Sequence, residues 1–169
     1  MSVRQRLEDA LLLWKYGRKQ GAWIQVLIAA AATSRMRFPN KKDGEAFRAF
    51  IREVTPILLD ANAPAVPGGI SLNFYSQVRG DGIALDHLIY SHLRCNLLHE
   101  AVLAEEVKLC ESRVVNGKLV AELHGVGTKH SPLTIPDFWV LHLAKAVAEA
   151  AENAADCAGL FDSTTAGLS

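Results

Sequence analysis

The stretch SHLRCNLLHEAV, Ser91 to Val102, sets an arginine, a cysteine, an asparagine and two histidines among leucines. Each of these residue types has a chemistry that its neighbours lack. Arg94 offers a planar fork of donors that matches a phosphate or a carboxylate in two places at once. His99 can take or give a proton near neutral pH, and Asn96 can orient a neighbour by hydrogen bonding. His92, Cys95 and His99 stand at i, i+3 and i+7, on one helical face, and all three side chains can ligate zinc or copper. No fourth ligand is indicated by spacing, and buried cysteine usually behaves as a small apolar residue, so no metal site is assigned.

The setting makes these residues conspicuous. At 100° per residue, the apolar side chains from Leu88 to Leu103 cover every side of a helix, which is the pattern of a helix buried all round. A buried polar group left unpaired costs about 1–3 kcal/mol, and a charge costs more. Arg94 therefore needs a carboxylate, an anion or a water-filled cleft. Asp86, Glu100 or an acid on another helix can serve, in which case Arg94 sets packing register. His99 in the same reading is a neutral histidine bonded to the backbone or to Asn96.

Arg94 and His99 are separated by CNLL. This spacing resembles the R-x(4–6)-H motif of the HEPN superfamily, helical bundles that are usually dimeric, and the likeness covers this helix and the surrounding helical pattern. In many members the motif arginine and histidine of both protomers form a metal-independent ribonuclease site. The resemblance thus implies a catalytic role for Arg94, toward phosphate, and for His99, in acid–base transfer, with Asn96 orienting one of them. It further implies a homodimer, RNA as substrate or ligand, and a place in a toxin–antitoxin or defence system with an antitoxin or other protein partner. Members with nuclease activity commonly carry a polar residue directly after the arginine. Here that residue is Cys95, so the fold can hold while the activity is absent. On one ideal helix Arg94 and His99 point about 140° apart, so a shared phosphate requires a second protomer or a distorted turn. The alternative is a non-catalytic helical dimerisation or protein-interaction domain in which Arg94 and His99 are structural.

The elements that must position this segment are mainly helical. Leu7, Leu11 and Trp14 recur at helical spacing, and Gly17 offers a stop. Trp23 to Ser34 forms a second, almost wholly apolar helix. A third opens at Asp43, a candidate cap, shows Phe47, Phe50 and Ile51 on one face, and is kinked or ended by Pro56. Residues 61–69, ANAPAVPGG, make the main loop, and Asn73 to Arg79 a short turn or helix. The fourth helix is expected from Ile83 to Glu105. The period then changes to alternation around Asn116-Gly117, a type I′ turn signal, so a β-hairpin is expected over about 106–124. After a Ser131-Pro132 loop, a last helix opens at Pro136-Asp137 and runs to Gly159, ahead of a flexible tail over about 160–169. The fold class is therefore mainly α: a helical bundle of about five helices with one inserted hairpin, in a single domain over 1–169.

Charge is balanced, with 18 basic and 18 acidic residues, but it is not evenly spread. Residues 1–52 hold 11 Lys and Arg against 4 Asp and Glu, a net of +7, and the remainder holds 7 against 14, a net of −7. Either the basic part faces nucleic acid, or the two parts attract each other within the fold or across a dimer. Three cysteines without CxxC spacing argue against a disulfide framework or zinc ribbon and fit a reducing, cytoplasmic setting. The apolar run from Ala22 is far short of the roughly 20 residues that span a bilayer, so no membrane association is expected. Neither G-x-x-x-x-G-K-[ST] nor G-x-G-x-x-G occurs, and no cofactor is implied. Ser131, His130 and Asp137 lack the strand-turn-helix elbow of a hydrolase, and Glu105-Glu106 read as solvated.

Overall fold

A computed structural model describes residues 1–76, 81–100, 102, 103, 105, 107–121, 126, 127 and 132–161. The class is mainly α, with five helices, the fourth in three continuous segments, and a few short strands. The first helix, α1 (Val3–Lys15), begins in a capping box: Ser2 Oγ accepts from the Gln5 amide while Gln5 Oε1 accepts from the Ser2 amide, at 3.2 and 2.9 Å. These two bonds satisfy donors that a helix start leaves open. Gly17 follows the helix with φ +72°, a left-handed conformation that favours glycine, and the chain reverses into α2 (Lys19–Arg37). This helix reaches beyond the expected Trp23–Ser34 at both ends. Its buried alanines, Ala22, Ala29 and Ala30, have little side chain to hold neighbouring helices apart.

The third helix, α3 (Asp43–Leu59), contains Pro56 and runs through it. Proline withholds the N–H that would bond the Arg52 carbonyl. The loop over residues 61–69 makes good that loss: the Ile70 amide donates to Arg52 O at 3.1 Å and the Val66 amide to Glu53 O at 2.9 Å. Gly69 permits this return. Its φ is +77°, and a Cβ there would stand 2.4 Å from Arg52 Cβ and 2.6 Å from the Arg52 carbonyl carbon.

The strands correct several expectations. Residues 73–76 form β1 (Asn73–Ser76), antiparallel to β2 (Asp81–Ala84), rather than a turn or helix. Phe74 and Ile83 face each other in this register and are both 3% exposed, so burial of this cross-strand pair favours the ladder. Arg79 lies outside the described residues. The Asn116-Gly117 turn is present, both residues having positive φ, and it joins β4 (Arg113–Val115) to β5 (Lys118–Val120) within the expected hairpin region. Val107–Cys110, β3, does not pair across that turn but runs parallel to β7, Leu133–Pro136. Val107, Leu133 and Ile135 are buried together in the core, which a wider hairpin would not achieve. Val126–Gly127, β6, joins β1 in parallel. Pro136 thus ends a strand, and the last helix starts at Trp139.

That helix, Trp139–Glu149, stops ten residues before Gly159. Ala150 takes an extended ψ of 138°, and residues 151–161 continue in turns. Asn153 holds the break in place: its Nδ2 donates to the Val147 carbonyl and to Thr33 Oγ1, both at 2.8 Å. A side chain here satisfies a terminal carbonyl that continued helix would have satisfied with an amide.

Long-range ion pairs join the basic part of the sequence to the acidic part. Arg37 reaches Glu53 at 3.1 Å and Glu152 at 2.7 Å, Arg52 reaches Asp86 at 2.8 Å, and Lys19 approaches Asp137 at 3.7 Å. The Arg37 hydrogen bond raises the guanidinium's own pKa and lowers that of the Glu152 carboxyl. Lys19 also lies 3.0 Å from the Trp14 ring centroid, and burial, opposed by Asp137, lowers its pKa. Part of the charge asymmetry is therefore spent inside the fold.

Candidate functional site: the seam around Arg94

The fourth helix runs from Leu85 to His99 rather than from Ile83 to Glu105, and its middle is not α-helical. Leu85–Leu88 is α, Ile89–Cys95 is π, and Asn96–His99 is α again. Ile83 belongs to β2. The helix is not buried on every side either. Leu85, Leu88, Ile89, Leu93 and Leu97 are 0–2% exposed, whereas Leu98 is 37% exposed, as is Val102 beyond the helix end, at 55%. The π segment, with its wider i→i+5 bonding, sets residues four apart in a row. Ile89, Leu93 and Leu97 make one row toward the core, and Asp86, Tyr90 and Arg94 make a second that meets α3.

This second row and α3 form an antiparallel ladder. At one end Arg52 Nη1 donates to Asp86 Oδ2 at 2.8 Å. In the middle the Phe47 and Tyr90 rings lie 5.9 Å apart, tilted by 49°. At the other end Arg94 Nη2 donates to Asp43 Oδ2 at 2.8 Å. The two ion pairs have opposite polarity, since α3 supplies the cation in one and the anion in the other. Reversing one helix would set like charges together and sliding it would separate both pairs, so the pairs specify orientation and register.

Arg94 is held from several directions. Its guanidinium carbon lies 5.1 Å from the Phe47 ring centroid and 5.4 Å from that of Tyr90, within the range of cation–π attraction. Its Nε is shut away from solvent without a hydrogen-bond acceptor, and the electron-rich ring faces are what it has instead. The side chain is 16% exposed, against 46% for Asp43. Gly44 admits the close approach of Tyr90, because a Cβ there would stand 2.8 Å from the tyrosine hydroxyl oxygen. Asp86 and Glu100 are not the partners of Arg94; Asp43 is.

His99 is exposed in the last turn of the helix and makes no hydrogen bond or ion pair among the described residues. Among the described residues no hydrogen bond or ion pair joins it to Arg94, and Asn96 is half-buried at the start of that turn. His92, Cys95 and His99 do not gather as ligands: among the described residues no three His, Cys, Asp or Glu side chains form a group able to hold a metal. His142 is half-buried, with Nδ1 2.9 Å from the Leu58 carbonyl, and burial lowers its pKa. His124, His130 and Ser131 lie outside the described residues.

Sequence reading singled out Arg94 and missed its cage. Asp43 and Phe47 are at i and i+4 of one helix, Tyr90 and Arg94 at i and i+4 of another, and that paired spacing was the available signal. Arg48 and Arg52 repeat it on α3 and were not singled out.

Among the described residues no helix is long and apolar enough to cross a membrane. No curated protein and no solved structure matches the chain. A family model does: Rv1289 matches residues 2–159, and the chain belongs to that family.

Proposed function

We propose that this chain is a non-catalytic helical interaction domain, in which Arg94 fixes the packing of the fourth helix on α3 and His99 is a surface residue. The observation that carries this reading is the state of Arg94. A phosphate-binding arginine needs donors that solvent and ligand can reach, and this side chain is only 16% exposed, shut between two aromatic rings with one nitrogen on Asp43. General acid–base catalysis by His99 would call for a partner to fix its tautomer and orientation, and among the described residues it has none. The test is incubation of metal-free protein with mixed-sequence RNA beside a His99→Ala variant. The His99 side chain makes no hydrogen bond or ion pair among the described residues, so the variant should stay folded, as a melting curve verifies. Equal RNA stability in both samples supports the reading, and cleavage that His99→Ala abolishes overturns it.

A second reading keeps the HEPN-like ribonuclease and places its site across a homodimer. The exposure of Leu98 and Val102 beside His99 favours it, since a partner helix covering those side chains would bring a second copy of His99 toward the seam. Sedimentation velocity on wild type and Leu98→Glu decides: a dimer that the substitution dissociates supports this reading, and a wild-type monomer at about 100 µM, well above the micromolar range of ordinary interfaces, rejects it.

A further inference from the structure

A cavity of about 450 Å³ opens between α3, β2 and the start of the fourth helix. Its walls include Arg48, Arg52, Ser71, Asp81, Asp86 and His87. That volume suits a small ligand. The side chains that serve Arg94 lie further along the seam, so the site does not rest on the reading of Arg94 and His99 given above.

Arg48 and Arg52 are four residues apart on α3 and present their guanidinium groups from one helical face. Arg52 is fixed by Asp86, whose side chain is 5% exposed, so one guanidinium stands pre-oriented at the wall. That contact leaves the Arg52–Asp86 pair neutral as a unit, so Arg48 supplies the uncompensated positive charge of this wall. Among the described residues Arg48 donates only from Nε, to the Gly44 carbonyl at 3.3 Å, and the Arg52 side chain bonds only from Nη1. Two forks with unused donors offer more hydrogen bonds than one carboxylate can accept and match the several oxygens of a phosphoryl group.

The remaining wall selects what is attached to the anion. Asp81 forms no ion pair among the described residues, and a free carboxylate accepts hydrogen bonds from hydroxyl groups. Ser71 Oγ and the His87 ring, whose Nε2 lies 3.3 Å from Ser91 Oγ, add further polar contacts. Among the described residues no phenyl, phenol or indole ring lines the cavity, and its polar wall suits a small hydroxyl-bearing group. We propose that this cavity binds a small aliphatic phosphomonoester that carries hydroxyl groups, with the phosphate on Arg48 and Arg52 and a hydroxyl donating to Asp81.

Calorimetric titration with glycerol 3-phosphate, inorganic phosphate and glycerol tests the assignment. Arg48 lies half-buried on α3 and among the described residues hydrogen-bonds only Gly44, so Arg48→Ala should leave the helix intact, as a melting curve verifies. The expected result is saturable binding of glycerol 3-phosphate that Arg48→Ala weakens about tenfold or more, the loss of a charge-assisted pair. Asp81→Asn should reduce the preference for glycerol 3-phosphate over inorganic phosphate without weakening phosphate itself. Absence of saturable binding at about 10 mM, far weaker than a useful site, overturns the proposal. So does wild-type affinity in Arg48→Ala, or equal affinity for inorganic phosphate and its glycerol ester.

Discussion

Replacing Arg94 by alanine should destabilise the fold by about 2–3 kcal/mol. The ion pair contributes little of this, about 0.2–1 kcal/mol, because Asp43 is 46% exposed and solvent screens the attraction. Cation–π contacts to Phe47 and Tyr90 add about 0.5–2 kcal/mol in a site this covered, and the buried aliphatic stem of the arginine adds the rest. For a chain of this length, 1 kcal/mol corresponds to roughly 2–4 °C in Tm, so the melting temperature should fall by about 4–12 °C. Arg94→Lys should fall between the two, since it keeps the charge and loses the planar group that lies against the rings. A double-mutant cycle with Asp43→Ala should return a coupling of about 0.5–1 kcal/mol. The assay is thermal unfolding followed by far-UV circular dichroism. An Arg94→Ala protein that melts within about 1 °C of wild type would refute the reasoning, because the cage would then hold nothing together.

Further expectations follow from the same contacts. Gly69→Ala should cost about 2–5 kcal/mol, since a left-handed φ and overlap with Arg52 backbone atoms both oppose a Cβ; urea midpoints check it, and a loss under about 1 kcal/mol would contradict the close approach of the loop. Asn153→Ala should cost about 1–3 kcal/mol by orphaning the Val147 carbonyl, and Asn153→Asp should cost more because it buries a charge without a donor to offer; equal melting temperatures for wild type and both variants would contradict the role given to this side chain. His142 is pushed below its ordinary value of 6.5, so the unfolded chain takes up its proton first on acidification. Its contribution to stability is therefore present above about pH 6.5 and lost as pH falls through the folded value. The Tm of wild type minus that of His142→Gln should shrink between pH 7 and pH 5, and a constant difference would refute the assignment.

Helix positions were legible where one physical signal dominated. Leu7, Leu11 and Trp14 at helical spacing and the left-handed Gly17 mark α1 from the residues alone, and Asn116-Gly117 marks the tight turn. What escaped depended on partners distant in sequence. Pro56 ends a helix by local rules, yet the Ile70 amide supplies the Arg52 carbonyl with a new donor. The apolar run that closes the last helix is interrupted at Ala150 because Asn153 finds both Val147 and Thr33. Val107 and Leu109 alternate as a strand should, but alternation does not name the partner, and Leu133–Pro136 lies across a long connection. Arg94 was recognisable as a residue in need of an acid. Which acid was not, because Asp43 lies 51 residues away in sequence, and the matching i, i+4 spacing on two helices does not say that those helices meet.

The most direct test is to incubate metal-free wild-type protein and the Arg94→Ala/His99→Ala variant with mixed-sequence RNA and to melt both samples. Intact RNA in each, with a variant that unfolds several degrees early, is the predicted result and makes Arg94 a packing residue. Cleavage by the wild type alone, at matched stability, would contradict the account and return the segment from Arg94 to His99 to catalysis.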